Sequence, residues 1–279
     1  MTSTTRPLPA HLSPDGTALT ACFPGPAVLS CQTEVIKLNR PSKLPVVNLD
    51  TRTGVYAVAN RRIPLEGATN FRDAGGYVTA TGWLPWRIRY RSENLSRLTD
   101  IDWQTLFDAG IRLIIDLRTP AEAEEMPSRP PSGIEVHHLP VSGRLQGSSD
   151  PTAALFAGKI RGIDYCDMVE MYLDAIANSR AQLDEAVRLL NEHPEPTVVH
   201  CTAGKDRTGI VVALWQLQNG VSRQHVVEDF RLSALLRTTP RFLELRERID
   251  RAGVVPRMVQ PYFSAPVSAL AAALKSLGA

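Results

Sequence analysis

The stretch from residue 197 to residue 219 constrains this chain more than any other. Thr197-Val198-Val199-His200 is a short run of β-type residues. A few positions later, residues 208–219 carry Ile210, Val211, Val212, Leu214 and Trp215, so a helix there is apolar nearly all round. Such a helix has to be buried. A short apolar run leading straight into it reads as a strand of the same core. The chain is therefore expected to build around a strand, a loop and a central helix.

The loop between them reads Cys201-Thr202-Ala203-Gly204-Lys205-Asp206-Arg207, a C-x5-R frame, with the helix expected to begin just after Arg207. That spacing lets one loop wrap a tetrahedral anion with its backbone N–H groups, and a helix N-terminus favours negative charge. An electropositive loop of this kind favours thiolate over thiol at a cysteine. Arg207 can fork onto two anion oxygens in a way a lysine cannot. Thr208 can donate its hydroxyl to the sulfur. Gly204 and Gly209 permit close backbone approach, and His200 is placed to orient the loop or to sit as a satisfied core histidine. Lys205 is either a second cation for a multiply phosphorylated ligand or a solvated charge. A nucleotide-binding P-loop is excluded, because Gly204-Lys205 is followed by Asp206 rather than Ser or Thr.

Strand and helix patterns alternate on both sides of this unit. Residues 87–91, 111–117 and 135–139 read as strands. Residues 99–109 read as a helix with Thr99 as N-cap, an apolar stripe of Ile101, Leu106 and Phe107, and Gly110 at its end. Further helices are expected at 164–177, 180–192, 223–236, 240–252 and 264–277, the last docked on the body through Val267, Leu270 and Leu274. The fold class is α/β, a mostly parallel central sheet flanked by helices. Residues 1–16 are expected to be a flexible N-terminus, 17–63 a small N-terminal β appendage, and 64–279 the main domain. Residues 142–163 form a Gly-, Ser- and Asp-containing stretch that is a candidate lid or binding loop.

Composition excludes several classes. A net charge of +2 is too small for a nucleic-acid partner. Cys22, Cys31, Cys166 and Cys201 form neither a zinc pattern nor a disulfide framework, which points to a reduced, cytoplasmic chain. Cys166 is expected to be a small core residue. His137-His138 lack a third ligand at metal spacing. No apolar run reaches the length of a membrane span, so no stable membrane insertion is expected, and a signal-less route of secretion stays open.

The sequence resembles the cysteine-dependent protein tyrosine phosphatase superfamily, and within it the bacterial tyrosine/lipid phosphatases whose loop reads H-C-x-A-G-K-D-R-T-G. Three further segments agree: Asn70-Phe71-Arg72-Asp73 with Gly75-Gly76, Tyr90-Arg91-Ser92 through Leu95-Ser96, and Asp116-Leu117-Arg118. The resemblance spans about residues 63–233. It implies a cofactor-free, metal-independent hydrolase that works through a phosphocysteine on Cys201. Arg207 would clamp the phosphate, with Thr202, Ala203, Gly204, Lys205 and Asp206 supplying backbone donors. No Trp-Pro-Asp tripeptide supplies a general acid, so Asp206, favoured by the resemblance, and Asp116, at a strand end, are the candidates. Asp116 has a structural alternative, pairing with Arg118. The segment 70–76 reads as substrate-binding or as scaffold. The expected partners are a phosphorylated protein or a phosphoinositide, with oligomeric state unknown. An inositol-phosphate or lipid phosphatase and a phosphate-binding pseudophosphatase are the alternatives.

Overall fold

The computed structural model describes residues 61–148 and 150–279. The segment 1–16, expected to be flexible, nearly all of the expected appendage at 17–63, and Cys22 and Cys31 lie outside the described residues.

A five-stranded sheet runs β1 (Arg72–Asp73), β4 (Arg89–Ser92), β7 (Thr197–His200), β5 (Leu113–Asp116) and β6 (Glu135–His138) in spatial order. All neighbours are parallel except β1 with β4. A separate hairpin pairs β2 (Val78–Thr79) with β3 (Gly82–Trp83). The three central strands are fully buried, as expected of strands covered on both faces. Side chains alternate between those faces. Tyr90, Val198 and Ile114 lie side by side in one core, while Ile115 and Val199 face the other.

The first core is closed by α1 (Asp100–Asp108) through Trp103 and Leu106. Thr99 caps α1 as expected, its hydroxyl accepting from the Asp102 N–H while Asp102 accepts from the Thr99 N–H. Ile101, assigned to the buried stripe, is instead 70% exposed. The true inward positions are 102, 103 and 106. Asp102 turns in because its carboxylate also accepts from the backbone of Glu66 and Gly67, at 2.9 and 2.8 Å.

The second core lies under α4 (Tyr165–Glu192), α5 (Asp206–Gln218) and α8 (Val267–Ser276). Every residue of α5 from Thr208 to Gln216 is buried, which makes it the central helix. The two helices expected at 164–177 and 180–192 meet at a kink at Ser179 within α4, where φ and ψ of −140° and 28° break the helical run. The Ser179 hydroxyl accepts from the Ser142 N–H at 3.1 Å, so the kink anchors the start of segment 142–163. That segment contains a short helix, α3 (Pro151–Phe156), and buries Leu145, Leu155, Ile160 and Ile163. Cys166 is exposed rather than in the core, because Met168, Met171 and Tyr172 take the inward face of α4. The chain continues through α6 (Arg223–Ser233), a π-helical turn at Ala234–Thr238, α7 (Thr239–Arg251) and a 3-10 turn at Pro256–Val259. Among the described residues, no helix is long and apolar enough to cross a membrane.

Candidate active site

The parallel register aligns Ser92, His200, Asp116 and His138 at the carboxyl ends of adjacent strands, the edge at which open α/β sheets place their ligand sites. The chain leaves β7 at His200, turns through residues 201–205, and enters α5 at Asp206. The helix begins two residues earlier than the apolar pattern suggested. Asp206 and Arg207 therefore lie in its first turn, beside N–H groups that no side chain caps. Gly204 makes the turn with φ of +66°, and a Cβ there would lie 2.3 Å from the Ser92 carbonyl oxygen. Gly209 serves a different purpose from the one expected: it makes room for the ring of Phe230 on α6.

Cys201 is buried, with its thiol free. Arg207 reaches over the same loop and is held by Glu122. Its Nη1 donates to Oε2 at 2.6 Å and its Nη2 to Oε1 at 2.7 Å. Thr202 also donates its hydroxyl to Glu122, at 2.5 Å. Burial opposes the charge on Glu122, but the Arg207 hydrogen bonds and charge, with Thr202, hold its carboxyl down at about 2. The Arg207 guanidinium is correspondingly raised against the opposing effect of burial. The sequence reading did not single out Glu122. Its signal was the S/T-x-x-E pattern Thr119-Pro120-Ala121-Glu122, which caps α2 (Pro120–Glu125) reciprocally. The same carboxylate closes a helix and fixes the arginine.

Asp206 is partly exposed, and its Oδ1 accepts from the Tyr172 hydroxyl at 2.6 Å. Burial and the neighbouring Asp206 charge push the Tyr172 phenol well up, so it stays a donor. Lys205 is not a solvated charge. It is buried, donates to the Tyr262 carbonyl at 2.5 Å, and lies 3.4 Å from Asp206 Oδ1. Tyr172 and Tyr262 are the other contributors that the sequence reading missed. No spacing rule connects α4 or residue 262 to the loop.

Asp116 sits below the loop, paired with Arg118 through Nε at 2.9 Å and Nη2 at 2.6 Å. Burial raises its carboxyl, but the hydrogen bonds from Arg118 and the charges around it outweigh that and lower it. This pairing is the structural alternative weighed for Asp116. His200 is buried, with Nδ1 3.3 Å from the Cys201 carbonyl and Nε2 3.6 Å from Asp116. Burial pushes its imidazole down to about 4 despite the nearby Asp116 charge, so the ring is neutral. The Thr208 hydroxyl is buried without a hydrogen-bond partner, so the expected donation to Cys201 is not formed. His137 and His138 engage Glu135 and the Arg118 carbonyl. Among the described residues no group of three or more His, Cys, Asp or Glu side chains is disposed to hold a metal.

Residues 63–279 match the model of the tyrosine phosphatase family. The triple specificity protein phosphatase PtpB of Mycobacterium tuberculosis is 35% identical over 215 residues, covering 69% of this chain and 74% of that protein. A tyrosine-protein phosphatase of Nostoc commune is 30% identical over 54% of this chain and 50% of its own length. A putative tyrosine-protein phosphatase of Cupriavidus necator is 27% identical over 76% and 77% of the two chains. A solved structure of a cysteine-to-serine variant of P. aeruginosa TpbA in complex with pTyr aligns over 53% of this chain and 70% of its own, at 14% identity and a TM-score of 0.27. With the family model spanning the whole sheet-and-helix body and a phosphatase 35% identical over most of it, this chain belongs to the tyrosine phosphatase family and is a phosphoric monoester hydrolase.

Proposed function

We propose that the chain hydrolyses phosphotyrosine in proteins, with activity extending to phosphoserine and phosphothreonine, through a covalent intermediate on Cys201. The observation that carries the proposal is the Arg207–Glu122 fork beside Cys201 at an uncapped helix N-terminus. Glu122 occupies the Nη1/Nη2 end of the guanidinium, which leaves the Nε side to receive two phosphoryl oxygens. The loop N–H groups and the helix dipole supply the remaining charge stabilisation.

In the first step the Cys201 thiolate attacks phosphorus, the bond to the leaving oxygen breaks, and Asp206 gives that oxygen its proton. In the second, Asp206 takes a proton from water. The water oxygen attacks phosphorus and the S–P bond breaks, restoring the thiolate and releasing inorganic phosphate. Tyr172 holds Oδ1 of Asp206, which leaves Oδ2 to carry the transferable proton. Asp116 is a positioning residue: it fixes Arg118, which in turn donates to Asn94 and to the Met126 carbonyl.

Breadth of substrate is favoured by the relative whose name records triple specificity. A preference for multiply phosphorylated inositol lipids is disfavoured, because Lys205 is committed to Tyr262 and Asp206. Steady-state rates on phosphotyrosine peptides, phosphoserine peptides and phosphoinositide vesicles, each with and without EDTA, test this reading. The expected result is EDTA-insensitive hydrolysis, fastest on phosphotyrosine and abolished by Cys201→Ser. Turnover that survives Cys201→Ser would reject the covalent route.

A further inference from the structure

We propose that Asn70, Arg72, Arg91 and Asp229 are positioning residues of the catalytic loop, holding the carbonyls of Ala203 and Gly204 outward so that the N–H groups of Gly204 and Lys205 face a bound phosphate oxyanion. This rests on the reading of residues 201–207 as the phosphate site. The Asn70 amide donates to the Ala203 carbonyl at 3.0 Å and the Gly204 carbonyl at 3.3 Å. The Arg91 Nη2 donates to the Gly204 carbonyl at 2.9 Å. A trans peptide sends its N–H opposite to its C=O. The Ala203 carbonyl shares a peptide with the Gly204 N–H, and the Gly204 carbonyl with the Lys205 N–H. Pinning the two oxygens therefore aims the two donors. The loop's other carbonyls are engaged in the same sense: Thr202 accepts from the Asn94 N–H at 3.1 Å, and Cys201 meets the His200 ring at 3.3 Å.

Behind the two contacts lies a buried charge cluster. Arg72 and Arg91 are directly opposite each other on β1 and β4, a placement of like charges that sheets ordinarily avoid. Asp229, from α6, joins them. It accepts from Arg91 Nη1 at 2.6 Å and Arg72 Nε at 3.4 Å, and all three side chains are at most 1% exposed. Arg72 also holds the Asn70 side chain, and Ser233, one turn beyond Asp229, meets both guanidiniums. One carboxylate against two guanidiniums leaves the cluster one positive charge in excess beneath an anion site. A bound oxyanion supplies the missing counter-charge. The cluster also gives Asn70 and Arg72 of segment 70–76, and the arginine of Tyr90-Arg91-Ser92, a part in holding the loop.

The test is calorimetric titration with tungstate, a non-covalent tetrahedral oxyanion, of the full chain and of Asp229→Asn and Asn70→Ala. It is run at a temperature where circular dichroism shows each variant folded. Each variant is expected to weaken tungstate binding about tenfold, or about 1.4 kcal/mol. A purely structural role would lower the thermal midpoint and leave the affinity of the folded protein unmoved. Asp229→Asn strips a buried counter-charge and so threatens folding. Asn70→Ala removes only a neutral amide and decides the matter if Asp229→Asn does not fold. A folded variant whose tungstate Kd stays within about twofold of the parent overturns the proposal. Arg207→Lys separates the two levels of argument: if it too binds tungstate like the parent, the phosphate-site reading itself fails.

Discussion

Replacing Glu122 with glutamine probes the site at the contact on which the arginine's geometry depends. The carboxyl is held at about 2 against an ordinary 4.5, which corresponds to about 3 kcal/mol of interaction with its surroundings in the folded state. Burial works against that figure, while Arg207 and Thr202 supply it. Glutamine preserves the volume and one acceptor, removes the charge, and turns an NH2 group toward a donor. Part of the interaction is therefore lost outright, and Arg207 is released from its bidentate hold. The expected result is a destabilisation of about 2–3 kcal/mol by urea unfolding, with kcat/KM for a phosphotyrosine peptide falling by about 10- to 100-fold. The pH dependence follows from the sign of the shift. A carboxyl depressed in the fold contributes stability that is complete above its unfolded value and is lost as pH falls through about 4.5 toward 2. The gap between parent and variant should thus be constant from about pH 6 to 8. A folded Glu122→Gln enzyme that keeps its parent's kcat/KM would refute the claim that this carboxylate positions Arg207.

Three further outcomes are expected. His200 is neutral in the fold, at about 4 against 6.5 unfolded, so the unfolded chain binds the extra proton and stability is lost as pH falls below 6.5; at pH 5 the loss is about 2 kcal/mol, read as a parent-specific drop in urea midpoint that His200→Gln lacks. Tyr172→Phe removes the 2.6 Å donor to Asp206 and should slow phenyl phosphate about tenfold while sparing a substrate with a good leaving group; equal slowing of both would show that Tyr172 does not act through the acid. Gly204→Ala places a Cβ 2.3 Å from the Ser92 carbonyl oxygen at a positive φ, and the displaced loop should cost about 100-fold in kcat/KM; a variant as active as the parent would show that the loop yields without harm.

What was legible in the sequence was whatever depends on neighbours along the chain. The strand, loop and helix around Cys201 were readable because burial on all sides demands an apolar run, and α5 is buried from Thr208 to Gln216. The Thr99 cap was readable because a capping box is written within four residues. The same local reasoning misplaced Ile101 and Cys166, since facing in or out depends on what packs opposite. It also began α5 two residues late, because apolar periodicity is silent where the first turn carries Asp206 and Arg207 for the site.

The family was thus determined by the sequence alone, and the C-x5-R frame that marks Cys201 and Arg207 as candidates was legible there through its spacing. Only the tertiary structure decided who holds that loop. Glu122, Tyr172, Tyr262 and Asp229 come from a helix cap, a kinked helix, the C-terminal region and α6, between 34 and 157 residues away along the chain from their partners. Their roles arise from desolvated charge and hydrogen bonding between elements that meet only when the sheet is covered, and no periodicity along the chain encodes such a meeting.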